Sequence, residues 1–240
     1  GLDFYREIAC ALGSETSAEE YIASVQEAGS AWDRKSLGRL YDALRDTPFF
    51  AQVLSGCRFL HFGTTRQLIT SGRDLAAQQW GAAPAGPWLG MNNDQSPAGS
   101  ITGANAWVEG CRIRAALVLQ GDNVVVGAEI DNDTFLPAGA CLDVLPGYNR
   151  RGEATSFVRF YGIDDAFKGN PGDTYCGHLL ADWLASVGAE AADVWDGNIP
   201  ASERTIWNAR LFPEGTPSSC ARWQWVLHPE AATDKQKAEW

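Results

Sequence analysis

No apolar run in this 240-residue chain approaches the length that crosses a bilayer, and no basic, apolar leader opens it, so a membrane is not an expected partner. Positive charge is also scarce. Lys and Arg number 19 against 30 Asp and Glu, a formal net charge of -11. That balance argues against nucleic acid and anionic surfaces, whose phosphates demand cations. It leaves room for a local basic site facing a phosphorylated ligand. None of the six cysteines (Cys10, Cys57, Cys111, Cys141, Cys176 and Cys220) belongs to a CxxC pair, so neither a zinc site nor a thiol redox motif is indicated. Evenly spread, they read as buried free thiols of a cytoplasmic protein in a reducing compartment. Of the three histidines, His61, His178 and His228, none lies at helical metal spacing from another. GxxxxGK[ST], GxGxxG and GxSxG are all missing. With them go the P-loop, the dinucleotide-binding phosphate turn and the serine nucleophile elbow.

What is there is enough to fold, since 45% of the residues are hydrophobic. The organising stretch is 101–147. Ile101, Trp107, Ile113, Leu119 and Val125 recur every six residues, and Gly103, Ala115, Gly121 and Gly127 follow four of them two positions later. That period fits neither an amphipathic helix nor a hairpin strand. It fits a single-stranded parallel β-helix, in which short strands alternate with sharp corners. Hexads favour the left-handed form. A coil of three hexads stacks Ile101 near Leu119 and Trp107 near Val125, with Trp107 and Leu119 inward. The next coil is one residue short and places Leu136 after Leu119 and Leu142 after Val125. Gly121, Asn123, Gly127 and Asn132 supply corners.

The fold class is therefore mainly β with flanking helices, the β-helix being preceded by a helical and strand–helix segment. Three regions are expected. Residues 1–99 hold helices and a strand–GTT–helix junction, 100–165 the coil stack, and 166–240 a mixed helical and irregular segment packed on the stack. In the first, residues 3–12 read as a helix with Phe4, Ile8 and Leu12 on one face, stopped by Gly13. Ser17 and Glu20 form a capping box ahead of Tyr21, Ile22 and Val25. A helix over 35–45 turns Leu37, Leu40, Tyr41 and Leu44 inward. Residues 57–62 (CRFLHF) read as a strand, with His61 a packed core histidine, and 66–80 as a helix. Between them, Gly63, Thr64, Thr65 and Arg66 form the first stretch able to hold an anion, because a helix start offers unpaired amides and a positive dipole end. The plainer reading is an ordinary threonine cap. Residues 81–99, rich in Pro and Gly, read as a loop.

Beyond the stack, 155–161 (TSFVRFY) reads as a strand and 162–169 (GIDDAFKG) as an acidic turn carrying Asp164, Asp165 and Lys168. Adjacent aspartates more often cap a turn than bind metal, and no metal site is assigned. Residues 179–187 form a helix with Trp183 and Leu184 inside. Trp195, Ile206, Trp207 and Leu211 anchor an irregular segment. Trp223, Trp225 and Leu227 pack a last helix or strand, and the tail 229–240 frays.

Two segments together carry a resemblance: FLHFGTTRQLITSG (59–72) and RFYGIDDAFKG (159–169), the latter continuing to IWNARLFP (206–213). In this order, around a six-period stack, they resemble the L-fucokinase/GDP-L-fucose pyrophosphorylase family of fucose salvage. The likeness covers roughly 33–213, most of the chain. It implies a fucose-1-phosphate guanylyltransferase reaction joining GTP and L-fucose 1-phosphate into GDP-L-fucose and pyrophosphate, with L-fucokinase activity in bifunctional members. Sugar phosphates or nucleotide sugars are the implied ligands, bound by Gly63, Thr64, Thr65, Arg66, Asp165 and Lys168. Family members carry an upstream nucleotidyltransferase half and, when bifunctional, a downstream kinase domain. Neither is evident in this sequence, which opens on Gly1 rather than Met, so those domains are expected partners from the same polypeptide. No cofactor is expected in this chain, Mg²⁺ belongs to the full-length enzyme, and no catalytic residue can be named. Two other classes remain. One is a noncatalytic sugar-phosphate-binding or assembly module. The other, a hexapeptide-repeat acyltransferase, needs a histidine base on a coil, and 101–147 contains no histidine.

Overall fold

The structure, a computed structural model, describes residues 1–12, 15–50, 52–57, 60, 62–80, 86–169 and 174–240. The expected roles of Gly13 and His61 lie outside the described residues. The chain forms two compact units, Gly1–Phe59 and Leu60–Trp240.

In the first unit, α1 (Ala18–Glu27) opens on the expected capping box. The Ser17 hydroxyl accepts from the Glu20 amide, and the Glu20 carboxylate accepts from the Ser17 amide. Tyr21, Ile22 and Val25 are buried with Leu37 and Tyr41 of α2 (Arg34–Leu44), itself capped by Asp33. The opening turn, Phe4–Ala9, is wound as a π-helix, and its faces differ from the expected ones. Phe4 is exposed and Glu7 is buried. The Asp3 amide and Arg6 Nε donate to the Glu7 carboxylate at 2.7 and 2.8 Å, which draws that side chain inward. A hydrogen bond from Ser30, with those from Arg6 and Asp3, outweighs burial and lowers the Glu7 pKa from 4.5 to about 2. A folded-state value below the unfolded one stabilises above the unfolded pKa. This unit should therefore lose stability as the pH falls from 4.5 towards about 2. The near-UV signal of the Tyr21–Tyr41 pair reads the transition. Glu7→Gln should flatten its acid limb, and an unchanged limb would remove Glu7 from the account.

The second unit is built on the solenoid. Strands β1 (Leu89–Met91), β2 (Asp94–Gln95) and β3 (Ser100–Gly103) make the first coil, two of them inside the stretch expected to be a loop. Strands β4 (Ala106–Glu109), β5 (Arg112–Ile113) and β6 (Ala116–Leu119) make the second. Strands β7 (Asn123–Val126), β8 (Glu129–Ile130) and β9 (Thr134–Leu136) make the third, and β10 (Ala140–Tyr148) begins a fourth. Like strands pair in parallel, giving three ladders: β1-β4-β7-β10, β2-β5-β8 and β3-β6-β9. The parallel β-helix expected from the six-residue period is thus present.

Its register is partly as expected. Leu136 lies opposite Leu119 and Leu142 opposite Val125. Ile101, however, faces Leu117 rather than Leu119, and Trp107 faces Val124 rather than Val125. The coil length is set by its corners, not by the hexad. Positive-φ residues stack at Asn92, Gly110 and Gly127, and again at Asn105, Asp122 and Gly139. A one-residue slip reverses the faces of a strand. Ala106 and Val108 therefore point inward, while Trp107 points out. Its ring lies on α3 (Thr65–Trp80) over Gly72, where a Cβ would fall 2.6 Å from a ring atom, and its Nε1 donates to Glu109 at 2.9 Å.

Inside the stack, Val108, Val125 and Leu142 form one buried row, and Leu119 and Leu136 another. Leu119→Ala leaves a cavity and should lower stability by about 2–5 kcal/mol, read from chemical unfolding. A loss well under 1 kcal/mol would mean that Leu119 does not carry the interior row.

From β10 the chain reverses into β11 (Ala154–Gly162), antiparallel along its length. A short hairpin follows, β12 (Thr174–Tyr175) and β13 (His178–Leu179), then α4 (Leu180–Val187), with Trp183 and Leu184 buried as expected. Next come α5 (Ala191–Val194), α6 (Cys220–Trp223) and α7 (Asp234–Glu239). The tail is docked, not frayed. Lys237 Nζ donates to Ser186 O at 2.7 Å, and Trp240 Nε1 donates to Leu211 O at 3.1 Å with its ring 5.1 Å from Trp183. Trp207, expected as an anchor, is exposed. The described residues of 57–62 (Cys57, Leu60 and Phe62) form no strand. All six thiols are unpaired, three of them buried, Cys176 half-buried, and Cys10 and Cys57 exposed. Among the described residues, no helix is long and apolar enough to cross a membrane.

Candidate functional site

The fold-back of β11 decides what meets what. Its register sets Asp143 opposite Arg159 and Ala140 opposite Gly162, so the turn after β11 returns to the rim of the stack beside the start of α3. A cleft of about 770 Å³ opens there. All six residues singled out in the sequence line it: Gly63, Thr64, Thr65, Arg66, Asp165 and Lys168. Segments nearly a hundred positions apart are thus brought to one place.

Most of those groups already have partners. Arg66 donates through Nε and Nη2 to Asp164 at 2.8 and 2.7 Å, and through Nη1 to Asp122 at 2.6 Å. Asp122 sits at a positive-φ corner and also accepts from Asn105. Arg66 therefore straps the corner of the third coil to the turn after β11. The Asp164 bonds, then those of Asp122, push its pKa up, and Arg66 holds Asp164 below the usual carboxylate range. At the helix start, the Gln67 carboxamide accepts from the amides of Gly63 and Thr64 at 2.7 and 3.1 Å. The amides expected to meet an anion are capped from within.

Asp165 organises the turn. Its carboxylate accepts from the amides of Gly162 and Cys176 at 2.6 and 2.9 Å and from the Thr174 hydroxyl at 3.2 Å. Burial nonetheless raises its pKa above the ordinary value. A Cβ on Gly162 would lie 2.7 Å from an Asp165 oxygen, so this turn requires glycine. Asp165 and Asp164 serve different donors and do not converge. Among the described residues, no group of three His, Cys, Asp or Glu side chains is placed to hold a metal ion.

Lys168 and two residues that the sequence did not single out face the opening differently. Lys168 Nζ lies 4.7 Å from the centroid of the Trp207 ring. The Trp207 amide donates to Phe167 O at 2.7 Å, and Asn208 accepts from the Thr205 amide and Trp195 Nε1, which fixes that turn. Arg159 donates through Nε and Nη2 to the two oxygens of buried Asp143, each at 2.5 Å. Its guanidinium carbon lies 5.6, 5.7 and 5.5 Å from the ring centroids of Tyr161, Phe167 and Phe212. Burial works against its charge, but Asp143 outweighs burial and raises the pKa. Burial, then Asp143, also keeps the Tyr161 hydroxyl protonated. The motif RFYGIDDAFKG already contains Arg159, but in sequence it reads only as part of a strand over 155–161, with no role of its own.

A second cavity, of about 630 Å³, lies on the other side of the Arg66–Asp164 strap and carries His178 and His228. Cys176 also lines it, at φ +52, its thiol pushed up by burial and so not a thiolate.

A family model, the fucose pyrophosphorylase domain, matches residues 89–216, from the first strand of the solenoid past Trp207. The chain belongs to the fucose pyrophosphorylase family. Among curated relatives, the L-fucokinase/L-fucose-1-P guanylyltransferase of Bacteroides fragilis is 27% identical over 154 residues, 59% of this chain and 16% of that protein. The bifunctional fucokinase/GDP-fucose pyrophosphorylase of Arabidopsis thaliana is 23% identical over 254 aligned positions, 91% of this chain and 23% of that protein. The chain thus spans under a quarter of the length of either relative. No solved structure matches it. The residues that match the fucose pyrophosphorylase domain form the solenoid, its fold-back strand and one wall of the cleft at their junction.

Proposed function

We propose that this chain is the β-solenoid portion of a fucose-salvage enzyme whose whole polypeptide joins GTP and L-fucose 1-phosphate into GDP-L-fucose and pyrophosphate, with L-fucokinase activity in a further domain. The observation that carries this reading is the family match across 89–216, which spans the solenoid, the turn at 162–169 and Trp207. The cleft adds chemical sense. Arg66, Arg159 and Lys168 line it, and Lys168 has no carboxylate partner among the described residues, which leaves a cation to meet a phosphate on a chain of net charge -11. The unpaired thiols suit a cytoplasmic protein.

On this reading the cleft contributes ligand binding and not the complete chemistry. Nucleotidyl transfer depends on positioning and on neutralising phosphate charge. The family reaction calls on Mg²⁺, but the carboxylates here do not fit such an ion. Asp164 is bound to Arg66, and Asp165 is turned to amides. The purified 240-residue chain, given GTP, L-fucose 1-phosphate and Mg²⁺, should release no pyrophosphate. Turnover lost on Asp165→Asn or Lys168→Ala would make the chain a complete catalyst and overturn this division of labour. Supplying the nucleotidyltransferase part of a relative separates the remaining possibilities. Regained turnover supports the portion-of-an-enzyme reading, whereas binding of L-fucose 1-phosphate with no turnover supports a noncatalytic module.

A further inference from the structure

We propose that the outer edge of Arg159 is the phosphate-binding element of the cleft, with Lys168 beside it and the Trp207 ring as the surface on which the sugar of a glycosyl phosphate lies. The proposal rests on the cleft being the ligand face of the domain.

Arg159 is built for this in a way that Arg66 is not. Both donors on one edge of its guanidinium, Nε and Nη2, are fixed by Asp143 from behind, and Asp143 does not line the cleft. Nη1 has no partner among the described residues, and the side chain keeps 24% of its surface exposed. The fork is locked by the carboxylate and by the rings of Tyr161, Phe167 and Phe212. Little side-chain freedom remains to be lost on binding, and a planar fork matches phosphate oxygens as an ammonium cannot. Arg66, by contrast, has Nε, Nη1 and Nη2 all directed at aspartates, and the helix-start amides are capped by Gln67. A phosphate entering the cleft would have to displace those contacts, but it meets Arg159 and Lys168 directly.

The remainder of the ligand follows from Trp207. The residue is 66% exposed, yet its backbone is held to Phe167. An exposed indole on a fixed turn at the lip of a cleft, with a cation over it, offers a flat apolar surface next to a charged end. A ring bearing one phosphate has that shape, and a volume of about 770 Å³ accommodates it.

The test is calorimetric titration of the 240-residue chain with inorganic phosphate, L-fucose and L-fucose 1-phosphate. The wild type should bind L-fucose 1-phosphate, bind phosphate more weakly, and leave L-fucose unbound. Arg159→Lys should weaken both phosphate-bearing ligands by about ten- to a hundredfold, the worth of a charge-assisted bidentate contact. Trp207→Ala should weaken L-fucose 1-phosphate and leave inorganic phosphate unchanged. Should Arg159→Lys fail to fold, Lys168→Ala and Trp207→Ala, both at exposed positions, still decide. The first must weaken both ligands and the second only the sugar phosphate. L-Fucose 1-phosphate binding that Arg159→Lys leaves intact, or an equal loss of both ligands in Trp207→Ala, would overturn the assignment while sparing the cleft. No binding of either phosphate-bearing ligand by the wild type would overturn the assignment and the cleft together.

Discussion

Asp143→Ala should destabilise the second unit by about 3–5 kcal/mol, because it strands a cation in a setting that no longer neutralises it. The two partners sit on paired strands, Asp143 on β10 and Arg159 on β11, at the place where the fold-back begins to bury both. Three rings surround the guanidinium, so water cannot fully replace the lost carboxylate. Replacing both partners, Asp143→Leu with Arg159→Met, should recover much of the loss, since apolar groups of similar volume need no counter-charge. Urea unfolding of the four species of this cycle measures the coupling. A single Asp143→Ala as stable as wild type would mean that the pair is solvated and the cage open.

Gly103→Ala should be as damaging, for a steric reason. A Cβ at this position would fall 2.1 Å from Leu119 O, a backbone atom of the next coil, and the residue sits at φ +131. Neither conflict can be relieved by a rotamer change, so the rung must separate. The loss should exceed about 4 kcal/mol, the range reserved for specific structural failures. Gly110→Ala is the control. It also has a positive φ, +62, but nothing lies within 4 Å of its Cβ. There the left-handed backbone alone is penalised, by roughly 1–2 kcal/mol. Equal losses at the two positions, by thermal or chemical unfolding, would contradict the close approach of the coils at Gly103.

The stack was legible because its interior is repetitive. Leu119 over Leu136 and Val125 over Leu142 follow from spacing alone. Trp107 misled because residue type was taken for direction. It lies on the hexad, but the adjacent residues Ala106 and Val108 fill the interior, and the indole is needed outside to receive α3. Trp207 misled in the same way, a large ring being read as core when the fold leaves it on the cleft. The two halves of the cleft were visible as separate motifs, but their meeting rests on contacts such as that between Arg66 and Asp164, far apart in the chain, which leave no local mark. Arg159 was hidden for a related reason. Its partner Asp143 lies sixteen residues earlier, amid the apolar run of β10, and neither residue signals the other.

Helix α3 has a metric consequence. It touches the β4 rung through Gly72 and Trp107, reaches the β7 corner through Arg66 and Asp122, and grips the turn after β11 through Asp164. Six residues of helix separate Arg66 from Gly72, about 9 Å of axis. Asp122, just before β7, lies one strand spacing from the β4 rung and Asp164, just after β11, lies three, about 4.8 and about 14 Å, with Arg66 reaching both. The helix is thus a caliper set to the number of coils. A solenoid elsewhere can gain or lose a whole rung by duplication and still stack, but here an extra coil after Gly127 would carry Asp164 some 4.8 Å away and open the jaws at Arg66. The coil count between Trp107 and Asp164 is therefore gauged from outside the stack, and this stretch should tolerate point substitution far better than any change of length.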